Sequence, residues 1–251
     1  MPWTFLHLIT YIPTLVVLIT VAYLLRKSLI NKPEKTRMIP FKIISLILVI
    51  SEILKQILSF INGYSLYHLP IHVCSLFIFV IPLMAFYQGK YVNIVRSITI
   101  TLCMALTFMM FIMPNVIYSD MDINNFFNDY FSFHTVLFHN LVIFEFILIL
   151  FLDLYSKKNF TKYNNIIIFG CLYCFIASLL SVSLKVNYSN FYSCSIPFLD
   201  NIRQEMITHL SRGIGQAIYS SIVFIIHIAF FNLSYYLSNI LINKKEKLTR
   251  E

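Results

Sequence analysis

Two short stretches of the sequence contain side chains that can act as catalysts. The first carries His68, His72 and Cys74, and the second carries His134 and His139. A cysteine is a nucleophile only as the thiolate, and a nearby histidine can accept its proton or lower its pKa. If the two stretches meet in the folded chain, they supply a usable cysteine and histidine pair.

The same residue types could also bind a metal ion, because histidine and cysteine are common ligands. His72 and Cys74 are two positions apart, however, which on a helix directs them to different sides. Cys171 and Cys174 form a CxxC pair, but no histidine or second pair lies near them in the sequence to complete a zinc site. We therefore rank metal binding second to catalysis and expect no metal, no other cofactor and no disulfide framework.

The elements that must position these residues are strongly apolar. Of the 251 residues, 59% are hydrophobic and 12% charged, and the mean hydropathy is +0.77. No ordinary water-soluble domain of this length has such a balance. The sequence predicts an all-α polytopic membrane protein, a bundle of transmembrane helices in a single domain. Nucleic-acid binding is not expected despite the net charge of +8, because the basic residues fall between apolar runs.

Seven apolar runs are long enough, or nearly long enough, to cross a bilayer of roughly 30 Å. They cover residues 5–25, 40–61, 69–87, 94–115, 131–153, 164–184 and 213–240. The gaps after the first, third and fifth runs and the C-terminal tail are basic, whereas the gap at 119–130 contains three aspartates and no basic residue. The positive-inside rule then predicts an external N-terminus and a cytoplasmic C-terminus.

Several ionisable residues lie inside the predicted spans, where a charge costs about 2.5 to 3.5 kcal/mol. Glu52 and Lys55 are three positions apart in the second span and share one helix face. An ion pair of structural value and a functional role both remain open for them. Glu145 lies in the fifth span, with Asn140 and His139 nearer its outer end. Glu145 either orients a polar site or joins its helix to a neighbour.

At these residues the chain resembles a known family. The stretch LPIHVCSLFIFVIPL from Leu69 to Leu83 resembles the LPLHLCS-type helix start of the bacterial YwaF-like integral membrane proteins. FSFHTVLFHNLVIFEFIL from Phe131 to Leu148 resembles their second histidine-bearing helix. VNYSNF from Val186 to Phe191 is similar to their NY-containing segment before the last helix. The Trp- and Pro-rich segment expected before that helix is replaced by Cys194 to Arg203.

The resemblance implies an activity as well as a family. The family includes an animal transmembrane protein implicated as a cysteine-dependent acyltransferase that acts on phospholipids. The matched cysteine is Cys74, the family pattern supports His72 and His134 best, and His139, Asn187 and Tyr188 follow. The resemblance also implies a cell-membrane location, in the bacterial plasma membrane.

Our leading hypothesis is therefore a membrane-embedded acyltransferase whose partners are membrane lipids. Cys74 would attack a lipid ester and hold the acyl group as a thioester, with His134 as the base and His72 polarising the ester. His139, Asn187, Tyr188 and Glu145 are the candidate substrate-binding residues. An alternative is a non-enzymatic protein that binds or transports a small solute or lipid, in which Glu52, Lys55 and Glu145 matter more. A subunit with only a structural role is the third possibility.

Overall fold

A computed structural model of the chain describes residues 3–155, 160–194 and 197–248. Parts of the basic gap after the fifth run and of the C-terminal tail, at 156–159 and 249–251, lie outside the described residues. Within those residues the secondary structure is helical, with α1 (Phe5–Leu29), α2 (Glu34–Arg37), α3 (Ile39–Ile61), α4 (Phe77–Phe86), α5 (Val92–Ile112), α6 (Pro114–Ile117), α7 (Asp120–Asn124), α8 (Tyr130–Phe151), α9 (Tyr163–Leu184), α10 (Pro197–Leu210) and α11 (Arg212–Leu248).

Six helical segments in the described part of the chain are long and apolar enough to cross a membrane. They are Phe5–Leu29, Glu34–Ile61, Val92–Ile112, Tyr130–Phe151, Tyr163–Leu184 and Arg212–Lys244. The prediction of an all-α, polytopic membrane protein is thereby confirmed. The third predicted span corresponds to a shorter apolar helix, Val73–Phe86. The predicted orientation stays a prediction.

The third span begins later than its apolar run because of Pro70. A proline disfavours the helical conformation of the residue before it, and Leu69 is extended, with φ −57° and ψ 137°. A 3₁₀ turn precedes this point at Leu66–His68, and a second one, Val73–Leu76, leads into α4. His72 consequently lies before the helix. The expectation that His72 and Cys74 point to different sides of one helix was therefore wrong, because only Cys74 belongs to that helix.

The chain divides into two compact units. Unit 1 comprises Met1–Leu58, Phe77–Thr161 and Ser234–Glu251. In unit 1, α8 packs against α1, α5 and α7, and α5 packs against α4. The centre of this unit is apolar, since large side chains from several of its helices are almost fully buried. They include Phe41, Leu48, Ile81, Ile100, Ile143 and Leu148.

Two arginines, one near the end of α1 and one in α2, cap the C-terminal end of α8 by hydrogen bonds to its carbonyls. The guanidinium of Arg26 donates to the carbonyl of Phe151, and that of Arg37 donates to the carbonyl of Leu152 at 2.7 Å. The last carbonyls of a helix have no partner within the helix and carry partial negative charge. Arg26 and Arg37 therefore help to stabilise unit 1. They also belong to the basic gap from which the positive-inside rule predicts the orientation.

Unit 2 comprises Ser59–Leu76 and Lys162–Leu233. A Cβ atom at Gly170 of α9 would lie 2.8 Å from the ring of Phe231 in α11, so glycine permits this close approach. Between α10 and α11 the chain reverses at Ser211, whose φ is +85°. A Cβ atom at Gly215 would lie 2.6 Å from the backbone of Met206. Glycine at 215 therefore permits α10 to fold back onto α11.

Candidate functional site

The residues predicted for the site belong to both units. Unit 2 contains Cys74, His72, Asn187 and Tyr188, and unit 1 contains His134, His139 and Glu145. In unit 2 the structure brings the Cys74 segment together with the 186–191 loop. In unit 1 it brings His134 together with Glu52 and Lys55. These two groups are called the thiol cluster and the carboxylate cluster below.

Cys74 lies in the first turn of the Val73–Phe86 helix, within its 3₁₀ beginning. Its thiol is unpaired and half-buried. The thiol is a nucleophile only after a base has removed its proton. The phenol of Tyr173 on α9 lies close enough to Cys74 for the two groups to interact electrostatically. Cys74 thus supplies a reactive type of side chain that depends on a base for its activation.

Ser189 fixes the backbone on the N-terminal side of Cys74. Its hydroxyl oxygen accepts a hydrogen bond from the Val73 amide at 2.8 Å and lies 2.7 Å from the Tyr173 hydroxyl. Tyr173 in turn donates to the Ile71 carbonyl at 3.1 Å, so Ser189 is the donor in the contact between the two hydroxyls. Ser189 and Asn190 have φ values of +50° and +66°, a conformation rare for residues other than glycine. A loop held in this conformation therefore positions the start of the Cys74 helix.

The protonation of His72 follows from its contact with the same loop. The Ser189 amide donates to Nδ1 of His72 at 3.4 Å. Nδ1 therefore acts as an acceptor, and the neutral ring carries its proton on Nε2. The ring also lies against two tyrosines, with centroids 4.7 Å from Tyr67 and 5.4 Å from Tyr188. An N–H donor at Nε2 is the form of histidine that can polarise a carbonyl oxygen.

Asn187 and Tyr188 form hydrogen bonds that hold the 186–191 loop. Tyr188 is fully buried, and its hydroxyl donates to the Leu66 carbonyl at 2.5 Å. Its backbone amide and carbonyl both bond the Ser181 hydroxyl at 3.2 Å. The side-chain oxygen of Asn187 accepts from the Ser193 amide at 3.1 Å. These contacts give both residues a structural role, and substrate binding by them stays a prediction.

The carboxylate cluster of unit 1 is built around Glu52 of α3. One carboxylate oxygen, Oε2, lies 2.8 Å from Nζ of Lys55 and 3.1 Å from Nε2 of His134 on α8. The other oxygen accepts from the side-chain amide of Gln56 at 2.7 Å. The ion pair predicted from the spacing of Glu52 and Lys55 is thus confirmed. The contact of this pair with His134 requires α3 and α8 to be adjacent, which the sequence did not indicate.

Glu145 and His139 are buried elsewhere along α8. Glu145 is fully buried, and neither carboxyl oxygen has a hydrogen-bond partner in the described part of the chain. His139 donates from Nδ1 to the Thr135 carbonyl at 2.7 Å, which leaves Nε2 of the neutral ring as an acceptor. That atom is buried and has no partner among the described residues. Buried polar groups are normally hydrogen-bonded, so these two side chains can receive further partners.

Sequence reasoning missed several residues of these clusters. Tyr173 and Ser189 hold the Cys74 segment, and the only available signal was that Ser189 belongs to the VNYSNF stretch. Also in unit 1, the buried His7 bonds the Tyr118 carbonyl at 2.9 Å and lies 3.2 Å from Asp120. Within residues 3–155, 160–194 and 197–248, no group of three histidine, cysteine, aspartate or glutamate side chains is arranged to hold a metal ion.

Comparison with known proteins gives one match. The model of the TMEM164 family, a family of membrane proteins, matches residues 2–231. No curated protein sequence matches the chain. No solved structure matches it either.

Proposed function

The chain belongs to the TMEM164 family of membrane proteins, and on that premise we propose that it is an acyltransferase that works within the membrane. In this proposal it moves a fatty acyl group between lipids through a thioester on Cys74. The observation that carries the proposal is the thiol cluster: a cysteine in the first turn of a helix, with a neighbouring histidine that presents an N–H donor. The resemblance to bacterial YwaF-like proteins supports the bacterial plasma membrane as its location.

The first half-reaction forms the thioester. A base removes the thiol proton of Cys74, and the thiolate sulfur attacks the ester carbonyl of the donor lipid. Nε2–H of His72 donates to the oxygen that becomes negative in the tetrahedral intermediate. The ester C–O bond then breaks, and the departing lysolipid oxygen takes the proton from the base. Cys74 is left acylated.

The second half-reaction reverses these steps with a different alcohol. The base accepts the proton of an acceptor lysolipid hydroxyl, whose oxygen attacks the thioester carbonyl. The carbon–sulfur bond breaks, the new ester is released, and the thiol recovers its proton. His134 is the proposed base, and its ring nitrogen lies beside the Glu52 carboxylate, a pairing that orients a histidine in many hydrolytic sites. His139, Asn187, Tyr188 and Glu145 are the proposed substrate-binding residues.

The test is direct detection of the acyl enzyme. Purified protein in lipid nanodiscs is incubated with a phospholipid whose acyl chain ends in an alkyne, and the label on the protein is measured before and after hydroxylamine treatment. We expect hydroxylamine-sensitive labelling of the wild type and none of Cys74→Ser. Cys171→Ser, which changes another half-buried thiol in unit 2, is the matched control and keeps full labelling.

The base is tested in the same assay by the rate of labelling. We expect His134→Gln to slow thioester formation by about 100-fold, the usual size of a general-base effect. His72→Gln is expected to slow it by a similar factor, since one oxyanion donor is worth about 100-fold or more. A well-folded wild type that never acquires a hydroxylamine-sensitive label would contradict the proposal.

Glu145 favours a second candidate function, the binding or transport of a small solute. An ionisable group at membrane depth without a partner among the described residues is typical of ion and solute pathways. Under this alternative, Glu145→Gln abolishes uptake or binding and Cys74→Ser leaves it unchanged. Under the acyltransferase proposal, Cys74→Ser abolishes the activity. The two variants therefore separate the two functions.

A further inference from the structure

Unit 2 contains an open cleft of about 970 Å³ between α9, α10 and α11. Most of its wall is apolar and comes from the membrane-spanning candidates α9 and α11. The main apolar side chains that line it are Phe175, Leu179, Val182, Ile207, Phe224 and Ile225. Several of these side chains are highly exposed, with Phe175 at 62% and Ile225 at 66%. A surface of this kind suits a hydrocarbon chain.

One end of the cleft is cationic. Lys185 directly follows the last residue of α9, and Arg212 is the first residue of α11, so both stand at the ends of helices that are candidate membrane spans. Both side chains are exposed and line the cleft. Lipid headgroups lie at the ends of membrane spans. The described residues that line the cleft include no aspartate or glutamate.

Arg212 also occupies a position that disfavours a cation. The N-terminal end of a helix carries partial positive charge, so an arginine there is repelled unless an anion lies nearby. Such a helix end attracts phosphate groups through its unpaired amides. The 37-residue helix α11 therefore presents both an arginine and its own N-terminal end at the mouth of the cleft.

A third basic residue, Arg203, also lines the cleft, but it is buried and paired. Arg203 is 8% exposed, its Nε lies 2.7 Å from Asp200, and its guanidinium lies 5.9 Å from the ring centres of Tyr192 and Tyr219. Nη1 of Arg203 also donates to the side-chain oxygen of Gln216 at 3.4 Å. Because Asp200 already neutralises Arg203, the uncompensated charge of the cleft comes from Lys185 and Arg212.

From this combination we infer that the cleft binds a bilayer phospholipid with an anionic headgroup. The headgroup phosphate lies between Lys185 and Arg212, at the start of α11, and an acyl chain runs along Leu179 and Phe224 between α9 and α11. This site lies wholly within unit 2 and uses none of the residues proposed for acyl transfer. It therefore stands whether or not the chain is an acyltransferase.

The experiment compares two photoreactive lipids that differ only in the headgroup. The full-length protein is reconstituted in phosphatidylcholine nanodiscs containing a trace of either phosphatidylglycerol or phosphatidylcholine with a diazirine in the acyl chain. After irradiation, labelled peptides are identified by mass spectrometry. We expect the peptides that contain Phe175–Val182 and Gln216–Ile225 to be labelled about tenfold more by the phosphatidylglycerol probe, since each cation near the surface strengthens anionic-lipid binding.

Two variants and a control locate the site. The double variant Lys185→Gln/Arg212→Gln is expected to reduce phosphatidylglycerol labelling to the phosphatidylcholine level. Ala217→Trp fills the cleft without changing its charge and is expected to have the same effect, because Ala217 is an exposed residue of the lining. Lys162→Gln removes an exposed lysine just before the opposite end of α9 and should change nothing.

Three results would overturn the inference. They are equal labelling by both probes in the wild type, full phosphatidylglycerol labelling in the double variant, and an equal loss in Lys162→Gln. Cys74→Ser is expected to keep the cleft labelling. Failure of lipid binding and failure of acyl transfer are thereby measured separately.

Discussion

Nε2 of His134 on α8 lies 3.1 Å from Oε2 of Glu52 on α3, the same oxygen that pairs with Lys55 at 2.8 Å. Both side chains of the histidine–glutamate contact are at most 8% exposed. Removing a buried carboxylate that contacts two basic groups is costly, because it leaves a buried positive charge without its negative partner. The carboxylate cluster therefore links the stability of unit 1 to a residue proposed for catalysis.

The first prediction concerns Glu52. Glu52→Gln is expected to lower the free energy of unfolding by about 3 to 5 kcal/mol, as breaking a buried ion pair usually does. The measurement is denaturant unfolding in detergent micelles, monitored by circular dichroism. Glu34→Gln is the control, since Glu34 is 53% exposed in its pair with Arg96 and such pairs contribute about 0 to 1 kcal/mol. Equal effects of the two substitutions would rule out this account of the cluster.

The second prediction compares two glycines of α11. Gly215→Ala is expected to destabilise the protein by about 1 to 3 kcal/mol, a usual cost of overpacking, because the new Cβ meets the α10 backbone at 2.6 Å. At Gly213 a Cβ meets nothing within 4 Å, so Gly213→Ala is expected to be neutral or to stabilise the helix by up to about 1 kcal/mol. Thermal unfolding of both variants checks this. A harmless Gly215→Ala would show that α10 does not contact α11 in this way.

The third prediction concerns the support of Cys74 by Tyr173. Tyr173→Phe removes the hydroxyl that bonds Ser189 and the Ile71 carbonyl, which loosens the segment before the thiol. We expect Cys74 to react about fivefold faster with a membrane-permeable maleimide, equivalent to one net hydrogen bond of about 1 kcal/mol. The measurement uses a background in which the other four cysteines are alanine. Tyr23→Phe, at a 58% exposed position, serves as the control, and equal rates in both variants would contradict the prediction.

The fourth prediction concerns pH and Asp200. The Arg203 guanidinium, which hydrogen-bonds the Asp200 carboxylate, holds the pKa of that carboxyl below its usual value. Because the pKa is lower in the folded chain, the ionised carboxylate stabilises the fold above the unfolded-state pKa of about 4, and this contribution is lost as the pH falls through the folded-state value. We therefore expect Asp200→Asn to lower Tm at pH 7 and to differ less from the wild type near pH 3.

Glu205→Gln is the control for Asp200, because Glu205 is an exposed acid on the same helix. Its Tm difference from the wild type is expected to be small and to change little with pH. A Tm difference for Asp200→Asn that stays constant between the two pH values would show that the ion pair with Arg203 is not the cause.

The predicted spans agree with the helices of the structure where hydropathy alone determines where a helix begins and ends. The runs at 5–25 and 164–184 correspond to Phe5–Leu29 and Tyr163–Leu184, since an uninterrupted apolar stretch in a bilayer must satisfy its backbone as a helix. The predicted run at 69–87 begins before the helix does, since the structure has this helix at Val73–Phe86. Pro70 was visible in the sequence, but how far it would delay the helix depends on the contacts of Val73 with Ser189, which only the fold supplies.

For the site, the chemical types of the side chains and the pairs formed between near neighbours could be predicted from the sequence alone. Glu52 and Lys55 meet because their spacing on one helix puts them on the same face, a relationship that needs no other part of the chain. Cys74 and His72 likewise share one segment by their covalent connection. Composition and hydropathy also determined the membrane setting, because the free energy of transfer to the bilayer depends on each side chain largely independently of its distant neighbours.

Contacts between residues from distant parts of the chain could not be predicted in this way, because they depend on how the helices pack. Ser189 holds the Cys74 segment across 116 positions of sequence, and Glu52 meets His134 on a different helix. The cleft is likewise lined by residues of three helices, α9, α10 and α11, and Gly215 permits the close contact between the last two. Helix packing in a membrane depends on close contacts between surfaces rather than on the hydropathy that forms the helices. The same hydropathy pattern is therefore compatible with many ways of packing the helices, and the packing determines which side chains form each site.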